Sequence, residues 1–167
     1  METVSVEDFD YSVLEEADLE EAKELVATDL LRRAPLFCYM DSVTPEDFRF
    51  LADVFVGGLV RDKVSLKAVH RPSGRMAGLR LAFRCGPCGS RFADAFKENF
   101  QRFHPQIQSV FSLADREQEA CLGNLFERHR VKEYLSFYGL SVKEEFDGRR
   151  VAQTLMRLSL NYYRCVL

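Results

Sequence analysis

The sequence predicts an α/β protein whose mixed, mostly antiparallel sheet is flanked by helices, and three patterns support this fold class. A strand pattern leads into an amphipathic helix near the N-terminus, and a β-hairpin signal lies in the middle of the chain. The C-terminal part reads as a strand, a polar turn and a helix. Because the two strands of a hairpin are antiparallel, the middle segment favours a mixed sheet over an all-parallel one.

The first strand is predicted at Phe9–Leu14, where apolar and polar residues alternate as in a half-buried strand. The stretch that follows, EADLEEAKELVATDLL, has apolar residues at helical spacing that form a single stripe. Asp18 is the expected N-cap of this helix, because the acidic residues after it suit a first turn. Pro35 is expected to end the helix or to bend the chain just beyond it.

A second helix is predicted to begin in the stretch TPEDF. Thr44 is the expected N-cap, Pro45 suits the first helical position, and Asp47 completes a capping box. Glycine is a poor helix former, so Gly57 and Gly58 are expected to end this helix.

The stretches VSLKAVH and RMAGLRLAFR are predicted to form a hairpin, because RPSG between them contains turn-forming proline and glycine. Residues 90–130 read as helices interrupted at Pro105. The phenylalanines on one face of these helices are expected in the core: Phe92, Phe96, Phe100 and Phe103. A last strand is predicted at Tyr134–Val142, followed by a turn containing Gly148 and a helix from Val151.

The composition, with 47% hydrophobic and 29% charged residues, is typical of a folded soluble protein. No apolar run approaches the ~20 residues that span a bilayer, and the acidic start METVSVEDFD lacks a signal-peptide pattern. The five cysteines are irregularly spaced, as expected of free thiols in a reducing compartment. We therefore expect a cytoplasmic protein without membrane contact, folded as a single domain over residues 1–167.

The net charge of −3 conceals an asymmetry along the chain. The chain has 26 acidic and 23 basic residues. Residues 1–30 contain 11 of the acidic residues and one of the basic residues, so the rest of the chain has 15 acidic and 22 basic residues. A basic remainder attracts phosphate-bearing ligands or nucleic acid, although a solvated surface is the simpler interpretation. No nucleic-acid-binding motif and no basic helix face are recognised, so no nucleic-acid partner is expected.

The order of elements and four stretches of sequence resemble the GNAT superfamily of acetyl-CoA-dependent N-acetyltransferases, especially the arylalkylamine (dopamine-type) enzymes of invertebrates. YSVLEEADLEEAKELV is similar to the family's opening strand and first helix, APLFCY to the segment after it, and MAGLRLAF to the third strand. YLSFYGLSVKEEFDGRRVAQTLMRLSL resembles the acetyl-CoA motif. The resemblance implies transfer of an acetyl group from acetyl-CoA to a small primary amine, with an arylalkylamine as the first candidate.

The family's motif, Arg/Gln-x-x-Gly-x-Gly/Ala, falls on residues 147–152. In the family, N–H groups of this turn and the following helix bind the pyrophosphate, which gains from the helix dipole and from unpaired donors. The strand before the turn hydrogen-bonds the pantetheine arm. The resemblance therefore implies cofactor contacts from the backbone of eight residues: Leu140, Ser141, Val142, Gly148, Arg149, Arg150, Val151 and Ala152.

Three positions depart from the family pattern. Asp147 replaces a basic or amide residue, and Arg150 replaces a glycine that lets the backbone approach the ligand, so weak acetyl-CoA binding is expected. Ala34 stands where the arylalkylamine subgroup commonly has a glutamate proposed to deprotonate the amine, and alanine cannot accept a proton. No catalytic residue is assigned, and a non-catalytic GNAT-like protein acting through protein contacts is the alternative.

The family continues with a further strand, a helix and a closing pair of strands, whereas this sequence ends at Leu167. A C-terminally shortened family member is therefore expected, in which the strand Tyr134–Val142 lies at the edge of the sheet. This strand is rich in aromatic residues and contains no proline. We expect such an edge to pair with another chain and to cause self-association.

Cys85 and Cys88 form a CGPC motif, which is the signature of thioredoxin-like dithiols. A thioredoxin also needs a parallel strand before the motif and a proline-bearing loop opposite the dithiol, and the sequence predicts neither. A zinc site would need two more ligands, and the remaining cysteines and histidines show no second paired spacing. We therefore expect a loop that ends a strand, with no redox couple and no metal site.

Overall fold

The computed structural model describes residues 1–122 and 125–166. Within these residues, five strands form one antiparallel sheet in the order β1-β2-β3-β4-β5. The strands are β1 Val4–Val6, β2 Phe9–Val13, β3 Leu66–His70, β4 Arg75–Cys85 and β5 Tyr134–Val142. The predicted α/β class is confirmed, and every described strand pairing is antiparallel.

The described helices lie between and after these strands. They are α1 Leu19–Leu25, α2 Leu31–Arg33, α3 Pro45–Leu59, α4 Arg91–Asn99, α5 Pro105–Leu122, α6 Leu125–His129 and α7 Val151–Val166. A π turn, Val26–Leu30, joins α1 to α2. No helix in the described part of the chain has the length and apolar character needed to cross a membrane.

The two largest hydrophobic clusters lie on opposite faces of the sheet. The larger cluster packs one sheet face against α1, α3, α4 and the start of α5, and Leu25, Phe55 and Leu81 are almost fully buried there. The predicted phenylalanine face of residues 90–103 belongs to this cluster, so its placement in the core is confirmed. On the opposite face, Val151 and Leu155 of α7 pack against β2, β3 and β4. Burial of apolar surface on both faces holds the layers together.

Asp18 occupies the N-cap position of α1, as predicted, but its side chain makes no capping hydrogen bond to this helix. Asp18 also ends a short 3-10 turn, and its Oδ2 accepts a hydrogen bond from the backbone N–H of Glu15 at 2.9 Å instead of from α1. Its Oδ1 lies 2.5 Å from Nζ of Lys67 on β3. The contact to Lys67 comes from another part of the chain, and local sequence could not indicate it.

Helix α3 begins as predicted but ends later. Thr44 Oγ1 accepts from the N–H of Asp47 at 3.2 Å, and Asp47 Oδ2 accepts from the N–H of Thr44 at 2.8 Å. The helix continues through both glycines, and the chain leaves it only at Lys63, which has φ of 53°. Gly58 faces the backbone of Phe92. A Cβ added to Gly58 would lie 3.4 Å from the Cα of Phe92. Close packing of α3 on α4 outweighs the low helix propensity of glycine.

Strand β5 lies at one edge of the sheet and pairs only with β4 among the described strands. The pairing register shifts between Leu81 opposite Gly139 and Ala82 opposite Phe137, which leaves Tyr138 as an extra residue. Such a bulge bends the strand and increases its twist. The predicted edge position of Tyr134–Val142 is therefore observed within the described part of the fold.

Candidate functional site

An open groove of about 420 Å³ lies where β5 runs towards the first turn of α7. One wall is the π turn and the residues after α2, and the other is the end of β5 together with the start of α7. Its lining residues are Asp29, Leu30, Arg33, Ala34, Pro35, Leu140, Ser141, Val142, Asp147 and Ala152. Segments far apart in sequence therefore build one concave surface.

The end of β5 turns backbone groups that do not pair with β4 towards this groove. The N–H of Lys143 donates to the carbonyl of Ala77 at 2.9 Å, so Lys143 faces β4. Because hydrogen-bonded pairs alternate along an antiparallel ladder, the backbone groups of Val142 and Leu140 point away from β4. Arg33 Nη1 donates to the Val142 carbonyl at 3.1 Å, as this orientation requires.

The π turn brings the opposite wall close to β5. A Cβ added to Gly139 would lie only 3.0 Å from the Leu30 side chain. The absence of a Cβ at Gly139 therefore lets Leu30 approach β5 closely. A π turn widens the helix by one residue, and such turns are frequent at functional sites. The widening lets Asp29 and Leu30 both face the groove.

A salt bridge crosses the mouth of the groove. Arg33 Nη2 lies 3.0 Å from Asp147 Oδ2, and about half of each side chain is exposed. Arg33 therefore holds two groups of the opposite wall, the Val142 carbonyl and the Asp147 carboxylate. The sequence reasoning did not identify Arg33; its position just before Ala34-Pro35, at the end of a helix, was the available signal.

The turn between β5 and α7 exposes helix N-terminal donors. Gly148 has φ of 78° and Arg150 has φ of 59°, so both adopt the left-handed conformation. The Arg150 carbonyl accepts from the N–H of Thr154 at 3.0 Å, which makes Arg150 the N-cap of α7. The first N–H groups of a helix have no partner within it, and the helix dipole adds positive potential at this end. The arrangement can hold an anion.

The same architecture occurs in solved insect N-acetyltransferases. Arylalkylamine N-acetyltransferase 2 from Aedes aegypti gives a TM-score of 0.73 at 18% identity, over 92% of this chain and 69% of that chain. Polyamine N-acetyltransferase of Drosophila melanogaster, which forms N-acetylagmatine, gives a TM-score of 0.72 at 16% identity, over 95% of this chain and 72% of that chain. Mosquito arylalkylamine N-acetyltransferase like 5b gives a TM-score of 0.71 at 15% identity, over 95% of this chain and 72% of that chain.

The chain has a GNAT fold. The predicted resemblance to this superfamily is thereby confirmed for the fold. No protein-family model matches the sequence, and no curated protein matches it. At the identities observed, the likeness to solved structures concerns the path of the backbone, and the chemistry has to be argued from the site itself.

The GNAT fold distributes the predicted cofactor-contacting residues over two sides of α7. Leu140, Ser141, Val142 and Ala152 line the groove together. Val151 is 1% exposed and packs its side chain into the core, so only its backbone is available at the turn. Gly148 provides the sharp change of direction between β5 and α7.

The two motif arginines turn their side chains away from the groove. Arg149 Nη2 lies 2.5 Å from Asp8 Oδ2, and its guanidinium carbon lies 4.8 Å from the ring centroid of Phe9. Arg150 lines a separate pocket on the other side of α7. The Arg150 side chain therefore does not fill the space of the missing glycine, although its backbone adopts a conformation that favours glycine.

Ala34 lies in the groove wall, as the GNAT resemblance implies for this segment. The carboxylates that line the groove are Asp29 and Asp147. Asp29 Oδ2 accepts a hydrogen bond from Thr28 Oγ1 at 3.1 Å. The groove thus contains two carboxylates, but neither occupies the position in sequence where the arylalkylamine subgroup commonly has its glutamate.

The CGPC segment lies outside the groove, at the end of β4. Gly86 and Gly89 exchange two backbone hydrogen bonds of 2.9 Å, and Ser90 then caps α4 by accepting from the N–H of Ala93 at 3.0 Å. Burial raises the pKa of the Cys85 thiol, with a smaller opposing effect from Tyr134. A raised pKa lowers the thiolate fraction, whereas a reactive dithiol needs a lowered one. Within the described ranges, no three His, Cys, Asp or Glu side chains gather as metal ligands would.

Proposed function

We propose that this chain binds acetyl-CoA in the groove between β5 and α7 and transfers the acetyl group to a primary amine. One observation supports the proposal above all. The outward backbone of β5 at Leu140 and Val142 leads directly to the unpaired N–H groups at the start of α7, beside the small side chain of Ala152. A long ligand with amides at one end and phosphates at the other matches this sequence of donors and acceptors.

In the proposed complex, the amides of the pantetheine arm hydrogen-bond the backbone of Leu140 and Val142. The pyrophosphate lies at the turn formed by Gly148 to Ala152, where the helix dipole stabilises its charge. Arg33 faces the phosphates once it separates from Asp147. The residues present therefore fit the cofactor, with Asp147 as the one opposing charge.

When bound, acetyl-CoA supplies a thioester carbonyl for attack by the neutral amine. The chain's contribution is orientation, which converts a bimolecular encounter into a reaction between positioned groups. A donor near the thioester oxygen would stabilise the charge that develops there. Ala34 accepts no proton, so we assign no side chain as general base.

The amine is proposed from the names of the fold's neighbours, which act on arylalkylamines and form N-acetylagmatine. Dopamine, tryptamine, agmatine and spermidine therefore form the test panel. Isothermal titration calorimetry measures acetyl-CoA binding, and release of free CoA thiol measures turnover of each amine.

Ala152→Phe adds bulk inside the groove and is expected to abolish acetyl-CoA binding. Asn161→Phe adds the same bulk at an exposed position on the same helix and is the matched control. If Ala152→Phe binds acetyl-CoA as tightly as the unmodified chain, the groove is not the cofactor site. If the unmodified chain shows no binding, the proposed function is wrong.

A non-catalytic GNAT-like protein is the second candidate. It is favoured by Ala34 and by the Arg33–Asp147 salt bridge, which crosses the mouth of the groove. Binding of acetyl-CoA without turnover of any amine in the panel would select this candidate. Turnover of one amine, lost in Ala152→Phe, would select the enzyme.

A further inference from the structure

A second pocket, of about 280 Å³, lies between the β1–β2 turn, β2 and the first two turns of α7. We call it the arginine pocket, because Arg149, Arg150 and Arg157 line it together with Tyr11 and Thr154. It shares no lining residue with the groove. An α-helix turns by about 100° per residue, so Arg150, Thr154 and Arg157 lie on the side of α7 opposite Ala152.

The arginines of this pocket are unequally partnered. Arg149 is held by Asp8 and by the ring of Phe9. Arg150 and Arg157 form no ion pair with any carboxylate in the described part of the chain.

One carboxylate, Glu7, lines the pocket against the three guanidinium groups. Positive charges gathered in one pocket repel each other, and a bound anion removes this repulsion.

Two hydroxyl-bearing side chains lie at the floor. Tyr11 is 1% exposed and Thr154 is 7% exposed. Burial raises the pKa of the Tyr11 phenol, and smaller effects come from Thr154, from Glu7 and from Arg157. The phenol is therefore protonated at neutral pH and is an O–H donor close to the charged groups of the pocket.

The pocket also adjoins the N-terminal end of α7, a helix of 16 residues. The positive end of the helix dipole adds to the charge of the arginines. Guanidinium groups present paired N–H donors that match phosphate oxygens, and two of them balance the charge of close to −2 on a phosphate monoester. A carboxylate carries one negative charge and would balance only one of the two guanidinium groups.

We propose that the arginine pocket binds the phosphoryl group of a small phosphorylated molecule, at a site separate from the acetyl-CoA groove. Arg150 and Arg157 bind the phosphate oxygens, and the hydrogen-bonded pair of Tyr11 and Thr154 provides one hydroxyl donor from the floor. The pocket volume of about 280 Å³ is just below that of drug-sized ligand pockets, so it suits a phosphoryl group with a few further atoms and not a whole nucleotide.

The test titrates inorganic phosphate into the full chain in a phosphate-free buffer of low ionic strength, followed by amide chemical shifts in NMR. Saturable binding is expected, with shifts centred on the first two turns of α7 and on β2. Arg150→Gln and Arg157→Gln should each weaken binding about tenfold. Arg164→Gln removes the same charge from the same helix outside the pocket and should leave binding unchanged.

Further arms separate this proposal from the alternatives. Acetate at equal concentration should cause smaller shifts, and Ala152→Phe should bind phosphate normally, because that substitution fills only the groove. Equal weakening by Arg164→Gln would indicate general surface charge and overturn the site. Phosphate release by acetyl-CoA in the unmodified chain, but not in Ala152→Phe, would make the pocket part of the acetyl-CoA site and overturn its independence. Circular dichroism of each variant verifies that it is folded.

Discussion

Arg33 and Asp147 form a salt bridge across the mouth of the groove, with 3.0 Å between Nη2 and Oδ2. The pair links the end of α2 to the turn before α7 and places a carboxylate where phosphates are proposed to bind. Arg33 is thereby occupied by an internal anion in the absence of a ligand. Any phosphate at the start of α7 competes with Asp147 for Arg33.

Asp147→Asn is therefore expected to tighten acetyl-CoA binding about twofold to fivefold, because it removes an exposed like charge and frees Arg33. Calorimetry at low and high salt measures the change, which should shrink as salt screens the charges. Asp53→Asn is the matched control, because Asp53 is 49% exposed and pairs with Lys23 away from the groove. Weaker binding in Asp147→Asn would contradict this account.

Arg150→Gly is expected to stabilise the protein. The left-handed conformation at φ of 59° disfavours a side chain, and glycine adopts it freely. After the greater flexibility of glycine in the unfolded chain is subtracted, the free energy of unfolding should rise by about 1 kcal/mol. Urea denaturation measures it. Arg157→Gly, within the helix, should lower stability by about 1 kcal/mol, and a similar loss in Arg150→Gly would refute the strain argument.

Phe137→Glu is expected to suppress self-association through the β5 edge. Phe137 is 45% exposed on the edge strand, and a charge there discourages pairing with another chain. Sedimentation velocity should show association of the unmodified chain and a monomer for the variant. Leu160→Glu, at a residue 47% exposed on α7, should still associate. If both variants are monomeric, association does not proceed through the edge.

Substitutions at Phe137 also test whether the buried Arg80 guanidinium needs a counter-charge. This side chain is 5% exposed, its guanidinium carbon lies 4.2 Å from the Phe137 ring centroid, and its Nε has no hydrogen-bond partner in the described structure. Burial lowers the pKa of Arg80. Phe137→Glu provides a counter-charge, whereas Phe137→Lys adds a like charge, so thermal unfolding should show the glutamate variant to be the more stable. Equal stability of the two variants would indicate that the charge of Arg80 does not interact measurably with a charge at position 137.

Asp47 is expected to make α3 sensitive to acid. The hydrogen bond from the Thr44 backbone lowers the pKa of Asp47 below its ordinary value of 3.8. Its stabilising effect is therefore complete above pH 3.8 and is lost as the pH falls through the lowered value. Asp47→Asn should cost about 0.3–1 kcal/mol at neutral pH, and this cost should shrink as the pH falls below 3.8, measured by urea denaturation. Glu46→Gln, one position earlier, should change stability less at neutral pH.

Much of the fold could be predicted because its signals are local. The capping box of Thr44 and Asp47 spans one helical turn, and the hairpin of β3 and β4 depends on the turn residues between its strands. The order of β5, Gly148 and α7 follows from periodicity that changes within a few residues. The three-residue strand β1 was not predicted, because its length provides too little alternation to recognise.

The groove itself was predicted only in part. Leu140 to Val142 and Ala152 were expected at one site, and the structure brings them together. Arg33 and Asp29 belong to the other wall, and nothing in their local sequence identifies them as its members. Arg33 meets Asp147 across 114 residues of chain, so only the packing of the π turn beside β5 brings them together.

Local sequence predicted most of the elements, the cap of α3 and the strand–turn–helix that carries the site, and the GNAT resemblance implied the edge position of β5. Tertiary structure decided which side of α7 each motif residue faces, and it paired Arg149 with Asp8 across 141 residues. It also continued α3 past its two glycines, and it directed the Asp18 side chain to Lys67 instead of to the N–H groups of α1. The reason is physical: local propensity amounts to about 1 kcal/mol per residue or less, whereas burial of one large side chain contributes about 1.5–3 kcal/mol and acts between distant segments.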